Sequence, residues 1–156
     1  MIEGGFYVIK DQFFLDFPDP YLKANKVESR PHYFALHDIR TGLFWMIPMS
    51  SRVEKYERII TRITSSGRRC DTLHILKLDN DRSSVFLVQD IFPISANYCQ
   101  REYTINGNHL RLTSEAQARI IRSKATRVIG LIRNGVRFMP TQADVLKIEK
   151  SLRNVL

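Results

Sequence analysis

At 156 residues, 44% hydrophobic and 26% charged, the chain has the size and composition of one water-soluble domain that needs no metal or disulfide staple. Its net charge is +8 and its sequence pI is near 9.8. No apolar stretch approaches the roughly 18 residues of a membrane span, and no Cys-x-x-Cys or His-x-x-x-His spacing occurs, which argues against structural zinc.

Taken in chain order, FYVI (6–9) has the β-branched and aromatic make-up of a strand. DQFFLDF (11–17) reads as a helical turn capped by Asp11. Residues 18–31 hold three prolines among polar residues and read as a long surface loop, a length that often carries function. HYFALHD (32–38) and GLFWMIP (42–48) are expected to form a hairpin. VEKYERIITRI (53–63) is an amphipathic helix, with Val53, Tyr56, Ile60 and Ile63 on one face and Arg52, Lys55, Arg58 and Arg62 on another. TLHILKL (72–78) and SVFLVQDIF (84–92), either side of the turn DNDRS, predict a second hairpin. Residues 93–110 look irregular, with a short strand at EYTI. Ser114 and Gln117 form a capping-box signature for a long helix ending near Asn134, with Gly135 as its stop. A last helix over 140–156 is expected to be capped by Thr141, with Val145, Ile148, Leu152 and Val155 as its buried stripe. Paired hairpins followed by late helices predict an α+β fold: one domain over 1–156, with a mainly antiparallel sheet surrounded by helices.

The charge is unevenly placed, at net −1 over residues 1–51, +2 over 52–100 and +7 over 101–156. One strongly basic third suits a polyanion, nucleic acid above all; solubility alone is the plainer account. Cys70 and Cys99 are isolated, and the start MIEGGFYVIK lacks the apolar core of a signal peptide, so a cytoplasmic location with reduced thiols is expected.

The stretch PMSSRVEKYER (48–58) raises a chemical question. Ser51 and Glu54 fit a capping box, which would account for one hydroxyl. Ser50 is left over, and Arg52 opposes the helix dipole unless an anion is present. Two hydroxyls, free helix amides, Arg52 and Lys55 at one corner suit a phosphate group. RNA is cleaved by its own 2′-hydroxyl, without a metal or a protein nucleophile, once that oxygen is held in line with the leaving 5′-oxygen and the phosphorane charge is stabilised. General acid–base help most often comes from histidine. Of His32, His37, His74 and His109, His32 is the candidate, because the expected hairpin puts it beside Pro48. Arg30 would come with it. A plain surface histidine at a strand start fits the spacing equally well. His74 reads as structural, and His37 and His109 as turn or loop residues. The long helix adds Arg119, Arg122, Lys124, Arg127 and Arg133, either a solvated face or a basic surface for RNA phosphates. No glycine-rich phosphate loop and no G-x-S-x-G occurs.

FYVIKDQFF, RPHYFAL, LFWMIPMSSRVEKY and KLDNDRSSVFLVQDIFPI together resemble the toxins of type III toxin–antitoxin systems, the ToxN, CptN and AbiQ group, most of all its CptN branch. The resemblance runs through most of the chain. It implies a strongly twisted sheet similar to the MazF and Kid toxins. It also implies a metal-independent endoribonuclease without cofactors that leaves 2′,3′-cyclic phosphate ends. Its partners would be cellular or phage RNA as substrate and a repeated pseudoknot antitoxin RNA, which the toxin cuts and with which it closes into a ring, in the service of phage defence. No membrane is involved. The family's hydroxyl pair falls on Ser50 and Ser51, and its basic residue after the upstream proline falls on His32. Where ToxN-like members continue with Pro and Lys, this chain has Arg52 and Val53, so the cation would come from Arg52 or Lys55. On this reading Ser51, Lys55, Arg52 and His32 are catalytic, and Ser50, Arg30, Lys77, Arg119 and Arg122 bind RNA. The rival classes are a non-catalytic RNA-binding module and a DNA-binding factor, the latter without a helix-turn-helix signature.

Overall fold

The computed structural model describes residues 1–25, 30–78 and 82–155. Its centre is an antiparallel hairpin of β2 (His32–Asp38) and β3 (Leu43–Ser50). Both strands read as nearly continuous apolar runs, not alternating ones, because each is covered on both faces. Trp45, Met46 and Ile47 are all buried. β1 (Phe6–Ile9) pairs with the outer side of β2, and β7 (Cys99–Glu102) pairs with β1. The other side of β3 is shared. β6 (Phe92–Ile94) pairs with its first half, and β5 (Ser83–Phe86) pairs with Met49 and Ser50 at its end. β4 (His74–Lys77) completes the sheet as the partner of β5.

Among the described residues, four α-helices dress this sheet: α1 (Asp11–Asp16), α2 (Val53–Ser65), α3 (Glu115–Arg133) and α4 (Val145–Arg153). The main core lies between the central strands and α1, α3 and α4. A smaller one lies under α2, where Tyr56 meets Leu73, Val85 and Leu87, flanked by Val53, Ile60 and Ile63 of the predicted apolar face. Arg133 ties the layers together. It pairs with Asp38 of β2 at 2.7 Å and with Glu149 of α4, and its guanidinium lies 5.5 Å from the Trp45 ring centre. Both carboxylates pull the Arg133 pKa up, outweighing its partial burial.

The α+β class and the two main hairpins agree with the sequence reading, and several local expectations do not. The strand expected over 84–92 is broken by a 3-10 turn at Val88–Asp90, where extra residues are inserted between the ladders that β5 and β6 make with β3. Residues 93–110 are not irregular. Besides β6 and β7 they hold a small hairpin, β8 (Thr104–Ile105) with β9 (Asn108–His109), around Asn106-Gly107. Both turn residues have positive φ, 52° and 79°, as a two-residue hairpin turn requires. Lys10, not Asp11, holds the cap position of α1, and no side chain caps that helix. α4 starts later than expected. Its cap is Asp144, which accepts from the Lys147 amide at 3.1 Å, so Thr141 lies outside the helix and Val155, 86% exposed, is no part of the stripe. The α3 cap residue is as read, with Ser114 Oγ accepting from the Gln117 amide at 3.3 Å and Gly135 at φ 88°, but the box is not closed, because Gln117 Oε1 bonds His74 Nε2 at 2.9 Å. His37 sits within β2, its ring stacked on Phe44, and His109 sits in β9, bonded to the Phe6 carbonyl; neither is a loop residue. Parts of the 18–31 loop and of the DNDRS turn lie outside the described residues.

Candidate nucleic-acid site at the start of α2

β3 runs directly into α2, and the junction differs from a capping box. Arg52 takes the cap position with φ −80° and ψ 59°, and no side chain caps the helix. The helix therefore begins one residue too late for Ser51 to reach its first-turn amides. Ser50 Oγ accepts from the Arg52 amide at 3.2 Å, and the Ser51 carbonyl accepts from the Val53 amide at 2.9 Å. Ser50 thus shapes the turn. The Ser51 hydroxyl and the amides of Glu54 and Lys55 have no hydrogen-bond partner among the described residues. Ser51, Arg52 and Lys55 are all exposed. An anion at this corner would meet a hydroxyl, two unpaired N–H groups, the positive end of a helix and two cations.

The predicted alignment of His32 with Pro48 is present in the strand register. The expectation that His32 handles protons for a bound substrate meets an obstacle, because the ring is 0% exposed. It packs against Phe92 and Phe14, with centroids 5.5 Å and 6.4 Å away. Neither ring nitrogen has a partner among the described residues. Burial, helped by nearby Arg30, pushes its pKa down to about 3. The β-pairing that places His32 beside Pro48 also seals it inside the sheet, so it supports the corner without touching what binds there.

A groove of about 670 Å³ adjoins the corner. Lys55, Lys23, Arg62 and Arg68 line it, with Ile59 and Phe138 among its apolar residues. Asp71 offsets part of the charge by pairing with Arg69 and Arg127 at 2.9 Å and 2.8 Å. Asp90, from the 3-10 turn, lies in the same wall as Lys55 and feels the charges of Lys23, Arg30 and Lys55. Sequence reading missed Asp90, Lys23 and Arg68. Asp90 was hidden inside an apparent strand, and Lys23 inside a loop with no pattern to orient it.

The basic face expected on α3 is largely spent on the fold. Arg122 pairs with Glu3, Arg127 with Asp71 and Arg133 with Asp38 and Glu149. Lys124 Nζ donates to the Leu73 carbonyl at 2.9 Å and lies 3.0 Å from His74 Nδ1. Burial lowers the pKa of Lys124. Arg119 is exposed without an ion pair among the described residues. Lys77 is exposed at the end of β4, opposite Ser83, and does not line the groove.

The fold recurs among known structures. The chain superposes on AbiQ, a lactococcal anti-phage endoribonuclease of a type III toxin–antitoxin system, with TM-score 0.69 over 97% of this chain and 96% of that one. The fold is similar to that of AbiQ. A second solved structure comes from a bacterial antiviral system regulated by a processed non-coding RNA; it matches with TM-score 0.68 over 96% and 98% of the two chains. Sequence identity is 11% to AbiQ and 13% to the second protein, so the likeness lies in the fold. No family profile and no curated protein matches the sequence. Among the described residues, no helix is long and apolar enough to cross a membrane.

Proposed function

We propose that this chain is a metal-independent endoribonuclease toxin of a type III toxin–antitoxin system, of the CptN branch, acting on cellular or phage RNA in the cytoplasm. The observation that carries the reading is the uncapped start of α2, with a free Ser51 hydroxyl and Lys55 at the mouth of a basic groove, in an AbiQ-like fold. In the reaction the 2′-oxygen attacks the adjacent phosphorus, the bond to the 5′-oxygen breaks, and the ends are a 2′,3′-cyclic phosphate and a 5′-hydroxyl. Ser51 and the free amides would hold the non-bridging oxygens. Lys55 and Arg52 would offset the charge that builds on the phosphorane, the largest demand on such a site. Ser50 and Arg30 would support the bound strand, and Lys23, Arg62 and Arg68 would follow its phosphates along the groove. Lys77 and Arg119 lie outside the groove and would meet only a longer or folded RNA. A structured antitoxin RNA with repeated pseudoknots, cut by the same site and closing a ring with the protein, fits this division of surfaces.

The test is direct. Purified protein incubated with bacterial RNA in EDTA is expected to release discrete fragments ending in cyclic phosphate. Retention of RNA without cutting would replace the enzyme with a non-catalytic RNA-binding module. Tandem short repeats in the DNA just upstream of the gene would support the antitoxin assignment.

A further inference from the structure

The cleavage chemistry needs a group to take the 2′-hydroxyl proton, and buried His32 has no path to it. Asp90 has the right placement. Its side chain is only 9% exposed, yet it forms part of the groove wall that holds Lys55. Its Oδ2 is sealed from solvent with no hydrogen-bond partner among the described residues, which leaves Oδ1 as the oxygen that reaches the groove. Oδ2 lies 3.9 Å from Lys23 Nζ, an attraction between charges but too long for a hydrogen bond. Lys23 and Arg30 from the loop before β2 and Lys55 from α2 all act on the carboxylate. Folded chains seldom leave a buried carboxylate oxygen without a donor, and such a group at a cleft points to function. Its place follows from the fold. The Leu87 amide donates to the Pro48 carbonyl at 3.0 Å, and the Asp90 amide to the Leu87 carbonyl at 2.9 Å, so the turn carrying Asp90 hangs on the end of β3 that delivers Ser50 and Ser51.

We propose that Asp90 is the general base of the cleavage reaction, accepting the 2′-hydroxyl proton on Oδ1, the oxygen not sealed from the groove, as the 2′-oxygen bonds to phosphorus. The 5′-oxygen leaves with its bonding electron pair and takes a proton from water, and Asp90 returns its own proton to solvent. Burial raises the Asp90 pKa and strengthens it as a base, and Lys23, Arg30 and Lys55 oppose that rise. This inference rests on the cleavage reading above.

The experiment uses single-turnover cleavage of a short RNA containing a site first mapped in bacterial RNA with the wild-type protein. Asp90→Asn is expected to slow cleavage by about 100-fold or more. It should also replace a neutral-pH plateau with a rate that climbs about tenfold per pH unit, as hydroxide takes over. In Asp90→Ala, added acetate is expected to restore part of the rate. An RNA carrying a 2′-deoxy sugar at the cut site should bind Asp90→Asn within about threefold of wild type, which reports an intact site. Three results would overturn the proposal: an Asp90→Asn rate near wild type, loss of binding to the 2′-deoxy RNA together with cleavage, or a slow Asp90→Ala that keeps the plateau and ignores acetate. A wild-type protein that cuts no RNA removes the cleavage reading itself, and Asp90 as its base with it.

Discussion

Replacing His32 with leucine separates its structural role from a chemical one. The ring is fully buried between Phe14 and Phe92, and its pKa is pushed from 6.5 to about 3. Above the ordinary histidine value both folded and unfolded chains hold it neutral, and it contributes no pH dependence. As pH falls below that value the unfolded chain takes up a proton that the folded chain refuses. Stability therefore declines, by about 1.4 kcal/mol per pH unit, until the folded group titrates near pH 3. Two units below the unfolded value, near pH 4.5, the loss from this one side chain is about 2.7 kcal/mol. His32→Leu removes that loss along with two unpaired polar atoms, and the shape change costs about 1 kcal/mol or less. Urea denaturation of both proteins at several pH values is the assay. Near pH 7.5 the two should be similar in stability, and by pH 4.5 the variant should lead by about 2–3 kcal/mol. RNA cleavage at neutral pH should survive the substitution within about tenfold. Parallel acid profiles would refute the buried, neutral ring, and a cleavage loss of several hundredfold in a folded variant would restore it to the chemistry.

Three further outcomes are expected. Ser51→Ala should cut cleavage by about 100-fold while shifting stability by less than about 0.5 kcal/mol in thermal melts, because its hydroxyl caps nothing. Arg133→Met strands Asp38 and Glu149; with the pairs partly exposed, about 2–3 kcal/mol should be lost, a fall in Tm of about 5–10 °C by calorimetry. Asp90→Asn should be more stable than wild type at neutral pH, since burial raises the Asp90 pKa and the folded state bears the ionised form at a cost. That gain should shrink as pH falls toward the ordinary carboxylate range and vanish below it, which urea denaturation at several pH values would show.

The sequence made the central hairpin legible because its apolar runs and short turn leave few registers, and the alignment of His32 with Pro48 followed. It located the Ser50–Lys55 corner for the same reason. It could not tell which cations were free. Whether Arg127 faces solvent or Asp71, or Arg122 faces Glu3, depends on partners 56 and 119 residues away along the chain. Nor could it see that burial goes with the pairing, so His32 arrived at the right height in the sheet and on the wrong side of its surface. Asp90 lay in SVFLVQDIF, where a strand pattern is continuous in letters but broken in space. The capping box failed by a single residue, a distance that cap preferences alone do not resolve.

The break at Leu87–Ile91 sets five residues against two, Ile47 and Pro48, between the ladders that β5 and β6 make with β3. Nothing in the ladders themselves requires the detour. A descendant that trimmed it to a plain extended link would lose Leu87, Val88 and Ile91, all fully buried, together with Asp90 in the groove wall. The turn that presents Asp90 is thus pinned from beneath by the core, and the acid and its anchor cannot be deleted separately.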